Sequence, residues 1–176
     1  MLRTRVVSGF LACQVLLAYG APGPDVTIKS LPRSTAIVRQ MTGSYAQHSD
    51  AAHALLKLVS EKCATRGHVY GEYPEDPGAV GMENVHWNLG YEMAANDPCM
   101  SSLPKLYRVA VLPPTYAAVL TTTIAKTQED GLAIAKWLPD SGYVQSAPTR
   151  IEYLDESGAP DSAVQIVMPV KKRTWP

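Results

Sequence analysis

Cysteine and charged residues are scarce in this sequence, and each scarcity excludes a class of protein. The 176 residues include three cysteines, too few for a disulfide-dense scaffold and too scattered for a zinc module. Charged residues make up 18% of the chain, and 16 basic residues balance 16 acidic ones. Nucleic-acid recognition usually rests on clustered Lys and Arg, so this balance disfavours a DNA or RNA partner. With 46% apolar residues, the composition is that of one globular domain with an apolar core.

Long apolar runs are missing too, except in the N-terminal segment. Arg3 and Arg5 precede an apolar stretch at 6–18. A basic start, a short apolar stretch and small residues after it are typical of a secretory signal peptide, whereas a membrane-spanning helix needs roughly 20 apolar residues. We therefore predict a signal peptide at 1–20, a linker at 21–25 and an exported mature chain without a membrane segment. A membrane anchor is the alternative.

Export would carry Cys63 and Cys99 into an oxidising compartment. The two cysteines could form a disulfide there, or each could be a separate buried thiol. Sequence spacing does not reveal whether their Cα atoms come within bonding range, so both alternatives stay open at this stage.

The chain repeats one pattern of elements. Segments 31–38 and 112–119 align without a gap, and both open with Leu-Pro. Each is followed by a segment with apolar residues at helical spacing and then by two extended segments. This order predicts an α+β fold of two strand-helix-strand-strand modules in a pseudo-twofold arrangement, with a cleft between them. The modules are expected at about 26–95 and 106–172, with a tail at 173–176.

Six strands and two helices are expected from this pattern. The last strand is the clearest, because Val164, Ile166, Met168 and Val170 alternate with other residues at period 2. The predicted strands are 35–41, 68–73, 86–93, 116–123, 150–154 and 164–170, and the helical segments are 50–59 and 127–138.

Short stretches across residues 26–172 share their order and spacing with a known family. They are 31–45, 71–77, 87–92, 112–117, 137–143, 151–153 and 166–170. On these stretches the mature chain resembles the GyrI-like family, the effector-binding domain of AraC-type and MerR-type regulators, which is related to the SOUL haem-binding fold.

The resemblance implies an aromatic-lined cleft with a glutamate, in which family members take up hydrophobic and often cationic small molecules. Glu152 is the candidate for that acid. Tyr153, Trp87, Tyr91 and Tyr116 are candidate walls of the cleft, because planar rings offer large contact areas and cation–π faces.

Two departures from the family pattern concern the floor of the cleft. The family commonly has Glu two residues before the Tyr of the fifth strand, whereas here Ile151 holds that place and Glu152 directly precedes Tyr153. Gln165 stands where many members carry an acidic residue, and we keep it as a candidate ligand-binding residue.

The first functional hypothesis is an exported protein that binds a small hydrophobic, possibly cationic molecule. The resemblance also suggests an alternative, a hydrolase of strained electrophilic rings in which Glu152 acts as general acid or base. A protein-interaction module and a haem-binding SOUL-like protein with His86 as axial ligand are further alternatives. Family regulators carry a helix-turn-helix module, which we do not expect here, so no nucleic-acid partner is predicted.

The histidines give no signal for a metal. His48 and His53 are five residues apart, which puts them on different faces of a helix, and neither has a further ligand in register. We therefore predict neither a metal nor a cofactor.

Overall fold

The structure, a computed structural model, describes residues 25–64, 67–93, 97–154 and 159–174. The predicted signal peptide and nearly all of the predicted linker lie outside these residues. Within them both halves contain the predicted strand-helix-strand-strand order, with an edge strand before it, a short helix added in the first half and a short strand added in the second. In chain order these are β1 (Thr27–Leu31), β2 (Ser34–Thr42), α1 (His48–Lys62), β3 (Val69–Glu72), α2 (Pro77–Val80), β4 (His86–Met93), β5 (Arg108–Leu112), β6 (Thr115–Thr123), α3 (Thr127–Trp137), β7 (Tyr143–Gln145), β8 (Arg150–Tyr153) and β9 (Ala163–Lys172).

All nine strands of the described ranges belong to one curled antiparallel sheet. Its order is β1-β6-β9-β8-β3-β4-β2-β5, with β7 also pairing with β9. The order is symmetric about the central β3–β8 pair, in which Gly71 lies opposite Ile151 and Tyr70 opposite Glu152. The predicted α+β class and pseudo-twofold arrangement are therefore confirmed.

The two edge strands cross between the halves. β1 opens the first module but pairs with β6 of the second, and β5 opens the second module but pairs with β2 of the first. Leu31-Pro32 and Leu112-Pro113 stand at the ends of these strands. A residue before proline favours extended backbone, and proline has no N–H to donate to a β-ladder. These junctions therefore favour a chain that continues to another strand over a tight hairpin.

Each helix covers its own half of one sheet face. Leu55 of α1 is fully buried in a cluster with Ile37 and Leu89, and Ile134 of α3 is fully buried in a second cluster with Ile166. The opposite face carries two smaller apolar clusters, one around Ala36, Val38 and Tyr70 and the other around Ala117, Val119 and Val167. The short central strands β3 and β8 lie between the two helix-covered halves, which leaves a gap above them.

A disulfide joins Cys63, just after α1, to Cys99, with their Cα atoms 5.0 Å apart. Of the two alternatives that the sequence left open, the structure forms the bonded one. The Asp97 carboxylate accepts hydrogen bonds from the backbone N–H groups of Cys99 and Ala64, which holds the two connected segments together. Among the helices of the described ranges, none has the length and apolarity needed to cross a membrane.

Candidate functional site

A cavity of about 990 Å³ occupies the gap between α1 and α3. This volume lies at the upper end of the range typical for small-molecule sites, about 300–1,000 Å³. Most of the wall is apolar: Ala52 and Leu56 come from α1, Gly131 and Leu132 from α3, and Val69, Ile151, Ile166 and Met168 from the sheet. The gap predicted between the two modules therefore exists, and it lies on the helix-covered face.

Four aromatic and imidazole rings line one end of this cavity, and the ring of Trp87 packs behind them. Tyr45 meets Tyr73 edge to face at 4.9 Å between ring centroids, and Tyr73 stacks on Trp87 at 6.0 Å. His48 lies 4.4 Å from the ring of Tyr153. Gly71 makes this packing possible, because a Cβ there would stand 2.3 Å from the hydroxyl oxygen of Tyr73. The rings brace each other, so this end of the cavity is preformed.

The hydroxyl groups of Tyr73 and Tyr153 meet at this end. Their oxygens are 3.0 Å apart, and either can be the donor. Burial raises the pKa of both phenols above the ordinary value, so both are protonated at neutral pH. The bond between the two hydroxyl groups uses one of their two hydrogens. The other hydrogen can be donated to another acceptor.

His48 lies on the first turn of α1 and lines the same end of the cavity. Burial lowers the pKa of its imidazole to about 4, so the ring is neutral at neutral pH. Its Nε2 atom is buried and has no hydrogen-bond partner within the described part of the chain. His53 and His68 also line the cavity, and both are exposed.

Glu152 does not lie in this cavity. It points to the opposite face of β8, into a smaller pocket of about 320 Å³ that Tyr70, Glu92 and Arg150 also line. The Arg150 guanidinium is 3.4 Å from the Glu92 carboxylate and 3.9 Å from that of Glu152, and it lies over the Tyr70 ring. Burial raises the pKa of Glu152, although Arg150 opposes the shift.

The expectation that Glu152 looks into the principal cleft is therefore wrong in its geometry. Side chains alternate along a strand, so Glu152 and its neighbour Tyr153 cannot both face the same side. Its role as a ligand contact stays a prediction, confined by position to the smaller pocket.

The other predicted site residues are dispersed. Tyr153 lines the principal cavity, whereas Trp87 is buried beneath its wall and donates its indole N–H to the carbonyl of Gly43. Tyr91 is buried and accepts from the N–H of Gly67. Tyr116 is 57% exposed on β6 and lines neither pocket described here. The structure thus brings one of the six predicted residues to the main cavity.

Gln165 lies opposite Glu152 in the β8–β9 ladder and donates to the Thr121 hydroxyl. It lines neither pocket described here. Its place beside Glu152 makes it part of the opposite sheet face, away from the ring cluster.

The cavity is also lined by His48, Tyr45, Tyr73 and Gly131, which were not among the six predicted site residues. The sequence does contain a signal for Gly131. A glycine inside a helical pattern weakens the helix, which indicates that the position has a packing or functional role. The ring cluster has no such signal, because it joins residues from α1, β4, β8 and two connecting segments that are distant in the sequence.

Two further groups of residues that could bind haem or a metal have ordinary surroundings. His86, the haem-ligand candidate, is exposed outside the cavity, and its Nδ1 is 3.3 Å from the Glu75 carboxylate. Cys63, Asp97 and Cys99 lie close enough to hold a metal ion, but both sulfur atoms are in the disulfide.

Comparison with known proteins identifies the fold. No family model matches the sequence, and no curated protein matches it either. The C-terminal domain of EcmrR superposes with a TM-score of 0.67 at 13% identity, over 84% of this chain and 97% of that domain. EcmrR in a DNA complex gives the same TM-score at 14% identity, with this chain spanning 57% of its length.

Two further solved structures share the fold. A hydrolase from Listeria innocua has a TM-score of 0.57 at 10% identity, over 86% of this chain and 94% of that one. SAV2435 bound to tetraphenylphosphonium has a TM-score of 0.50 at 16% identity, over 84% and 94% of the two chains. At these identities the likeness shows the fold alone. The chain has the fold of the EcmrR C-terminal domain, which is consistent with the effector-binding architecture that its sequence resembles.

Proposed function

We propose that this protein is a GyrI-like effector-binding domain that binds a small apolar molecule in the cavity between α1 and α3. The observation that carries the proposal is the cavity itself, with a largely apolar wall and a few polar groups gathered at one end. That combination is the usual form of a small-molecule site, because apolar surface supplies affinity and the polar groups fix orientation.

The fold comparisons support this proposal in general terms. SAV2435 shares the fold and has been solved with tetraphenylphosphonium, a bulky apolar cation. The position of the cavity also supports it, because two modules that meet across short central strands leave room for a guest without opening either core.

We further propose that the protein acts after export. The basic start and short apolar stretch before residue 20 favour a signal peptide, and a disulfide between Cys63 and Cys99 suits an oxidising compartment. Mass spectrometry of the protein recovered from its native cells should give a new N-terminus near residue 21. An intact Met1 on the folded protein would refute export by cleavage.

The binding proposal can be tested by closing the cavity. A Cβ at Gly131 would meet nothing within 4 Å, so Gly131→Phe can place a ring in the cavity without a backbone clash. We expect the variant to bind the fluorescent apolar probe N-phenyl-1-naphthylamine at least about tenfold more weakly than the parent protein, because the ring takes the probe's place.

Ala135→Phe is the matched control. Ala135 is exposed on the same helix and does not line the cavity, so this variant should bind the probe as the parent does. Saturable binding that Gly131→Phe leaves unchanged would place the probe elsewhere. No saturable binding to the parent protein would refute the proposed function.

A further inference from the structure

The cavity wall carries no fixed charge within the described residues. Its titratable side chains are three histidines and three tyrosines, and Asp, Glu, Lys and Arg are absent from the lining residues that the structure describes. Glu75 and Asp76 act electrostatically on Tyr45, but neither lines the cavity. An ionic guest would therefore lose its hydration shell without gaining a counter-charge, which is costly.

Ring faces do not replace a missing counter-charge here. A cation can be held over an open aromatic face. One face of Tyr73 lies against Trp87, and His48 lies 4.4 Å from the Tyr153 ring. These faces are therefore partly occupied by other rings, which weakens the attraction that they can offer a cation.

The polar end of the cavity offers a donor. Tyr73 and Tyr153 share one hydrogen bond, and neither hydroxyl has a second partner among the described residues. Both hydroxyls are protonated, so the pair keeps one hydrogen for an outside acceptor. A guest that covers this donor without accepting its hydrogen leaves it without a partner, so a guest that accepts the hydrogen gains an advantage over one that cannot.

We infer that the cavity selects an uncharged apolar molecule with a hydrogen-bond acceptor such as a carbonyl oxygen, and that the Tyr73–Tyr153 hydroxyl pair donates to it. This inference rests on the proposed function, and it adds the chemical class of the ligand. The apolar wall holds the body of the molecule, and the hydroxyl pair fixes the acceptor at the ring-lined end.

Four compounds on one diphenyl skeleton test this selectivity. Benzophenone carries a carbonyl acceptor, diphenylmethane carries none, diphenylmethylammonium is a cation and diphenylacetate an anion. Each is titrated against N-phenyl-1-naphthylamine bound to the protein. We expect benzophenone to bind about fivefold to tenfold tighter than diphenylmethane, the gain from one hydrogen bond, and at least about tenfold tighter than either ion.

Removal of the hydroxyl pair provides the second arm. Tyr73→Phe with Tyr153→Phe should abolish the advantage of benzophenone over diphenylmethane while leaving diphenylmethane affinity unchanged. Either single variant should keep part of the advantage, because the remaining hydroxyl can still donate. Tyr116→Phe, which removes an exposed hydroxyl outside the cavity, should change nothing. Unchanged diphenylmethane affinity also shows that the double variant is folded.

The outcomes separate this inference from the proposed function. If the probe binds but the protein prefers the ammonium compound or the carboxylate to benzophenone, the inference is wrong and the proposed function still holds. The same holds if benzophenone has no advantage, if none of the four compounds displaces the probe, or if the advantage survives in the double variant. Absence of binding by the probe and by all four compounds would overturn both.

Discussion

Ile151 and Glu152 are consecutive residues of β8, and they face opposite sides of the sheet. Ile151 lines the cavity between the helices, whereas Glu152 lies in the smaller pocket beside Arg150. The principal cavity therefore has a branched apolar side chain where the neighbouring position in the sequence offers a carboxylate. This one-residue difference leaves the principal cavity without a carboxylate and places Glu152 in the smaller pocket.

Glu152→Gln should leave probe binding in the principal cavity within about twofold of the parent protein, because the substitution acts on the other face of the sheet. Arg150 keeps its closer partner Glu92 at 3.4 Å, so the variant should also fold normally. Fluorescence titration and a urea unfolding curve check the two statements. A large loss of affinity would mean that the smaller pocket takes part in binding the probe.

Ile151→Glu should convert the preference of the cavity from uncharged to cationic guests. The new carboxylate would lie among apolar side chains, where a negative charge without a counter-ion is unfavourable. A bound cation would neutralise it. We expect diphenylmethylammonium to bind at least about tenfold tighter to this variant than to the parent at pH 8. Ile151→Gln is the control of similar size without charge. An equal gain in that control would attribute the effect to shape or polarity.

The sequence predicts the frame of this fold better than its site. Local sequence patterns identify both long helices and the six principal strands to within a few residues, because apolar residues are concentrated in each of them, either at regular spacing or as a continuous run. The edge strands β1 and β5 escape this reasoning. Each has mostly exposed side chains and pairs with a single strand of the described sheet, so its place depends on the distant partners β6 and β2.

The residues of the candidate site were predicted less well than the strands and helices. Period-2 alternation in β8 already implies that Glu152 and Tyr153 face opposite sides, and a strict use of it would have left only one of them in the cleft. The contact of His48 with Tyr153 has no comparable signal, since it depends on how α1 packs on a strand about a hundred residues later in the chain. Long-range packing of this kind is not encoded in local patterns.

Two glycines should respond to alanine with opposite signs. Gly131 lies inside α3, and a Cβ added there would meet open space, so Gly131→Ala should stabilise the protein by about 0.5–1 kcal/mol through helix propensity. Gly142 also has open space, but its φ of +78° is unfavourable for alanine, and Gly142→Ala should destabilise by about 1–2 kcal/mol. Chemical denaturation measures both. If both substitutions change the free energy of unfolding in the same direction, the backbone conformation at one of the two positions is not as described.

The stability of the protein should fall between pH 6.5 and pH 4 because of His48. Burial lowers the pKa of this imidazole to about 4 from the ordinary 6.5, so the unfolded chain takes up the proton first. The contribution of His48 is fully present above pH 6.5 and is lost as the pH falls to about 4. We expect a loss on the order of 2 kcal/mol, less than the full linkage because the ring is partly exposed.

His48→Gln isolates this effect, since it keeps a polar side chain and removes the titration. The difference in unfolding free energy between pH 7.5 and pH 4 should be smaller in His48→Gln than in the parent. His53→Gln, which changes an exposed histidine on the same helix, should behave as the parent does. An identical pH dependence in all three proteins would show that His48 is not held neutral in the folded state.

Loss of the disulfide should destabilise the fold without removing the cavity. The bond joins positions 36 residues apart, and a cross-link of that span typically contributes about 2–4 kcal/mol. Cys63→Ala with Cys99→Ala should therefore unfold at lower urea concentration than the parent by about that free energy. Cys63 follows the end of α1, far along the helix from His48, so probe affinity should change by less than about threefold.

Dithiothreitol supplies the control, because it should destabilise the parent to a similar extent and leave the double variant unaffected. A parent protein that is insensitive to the reductant, with both thiols free to react with Ellman's reagent, would show that the bond does not form.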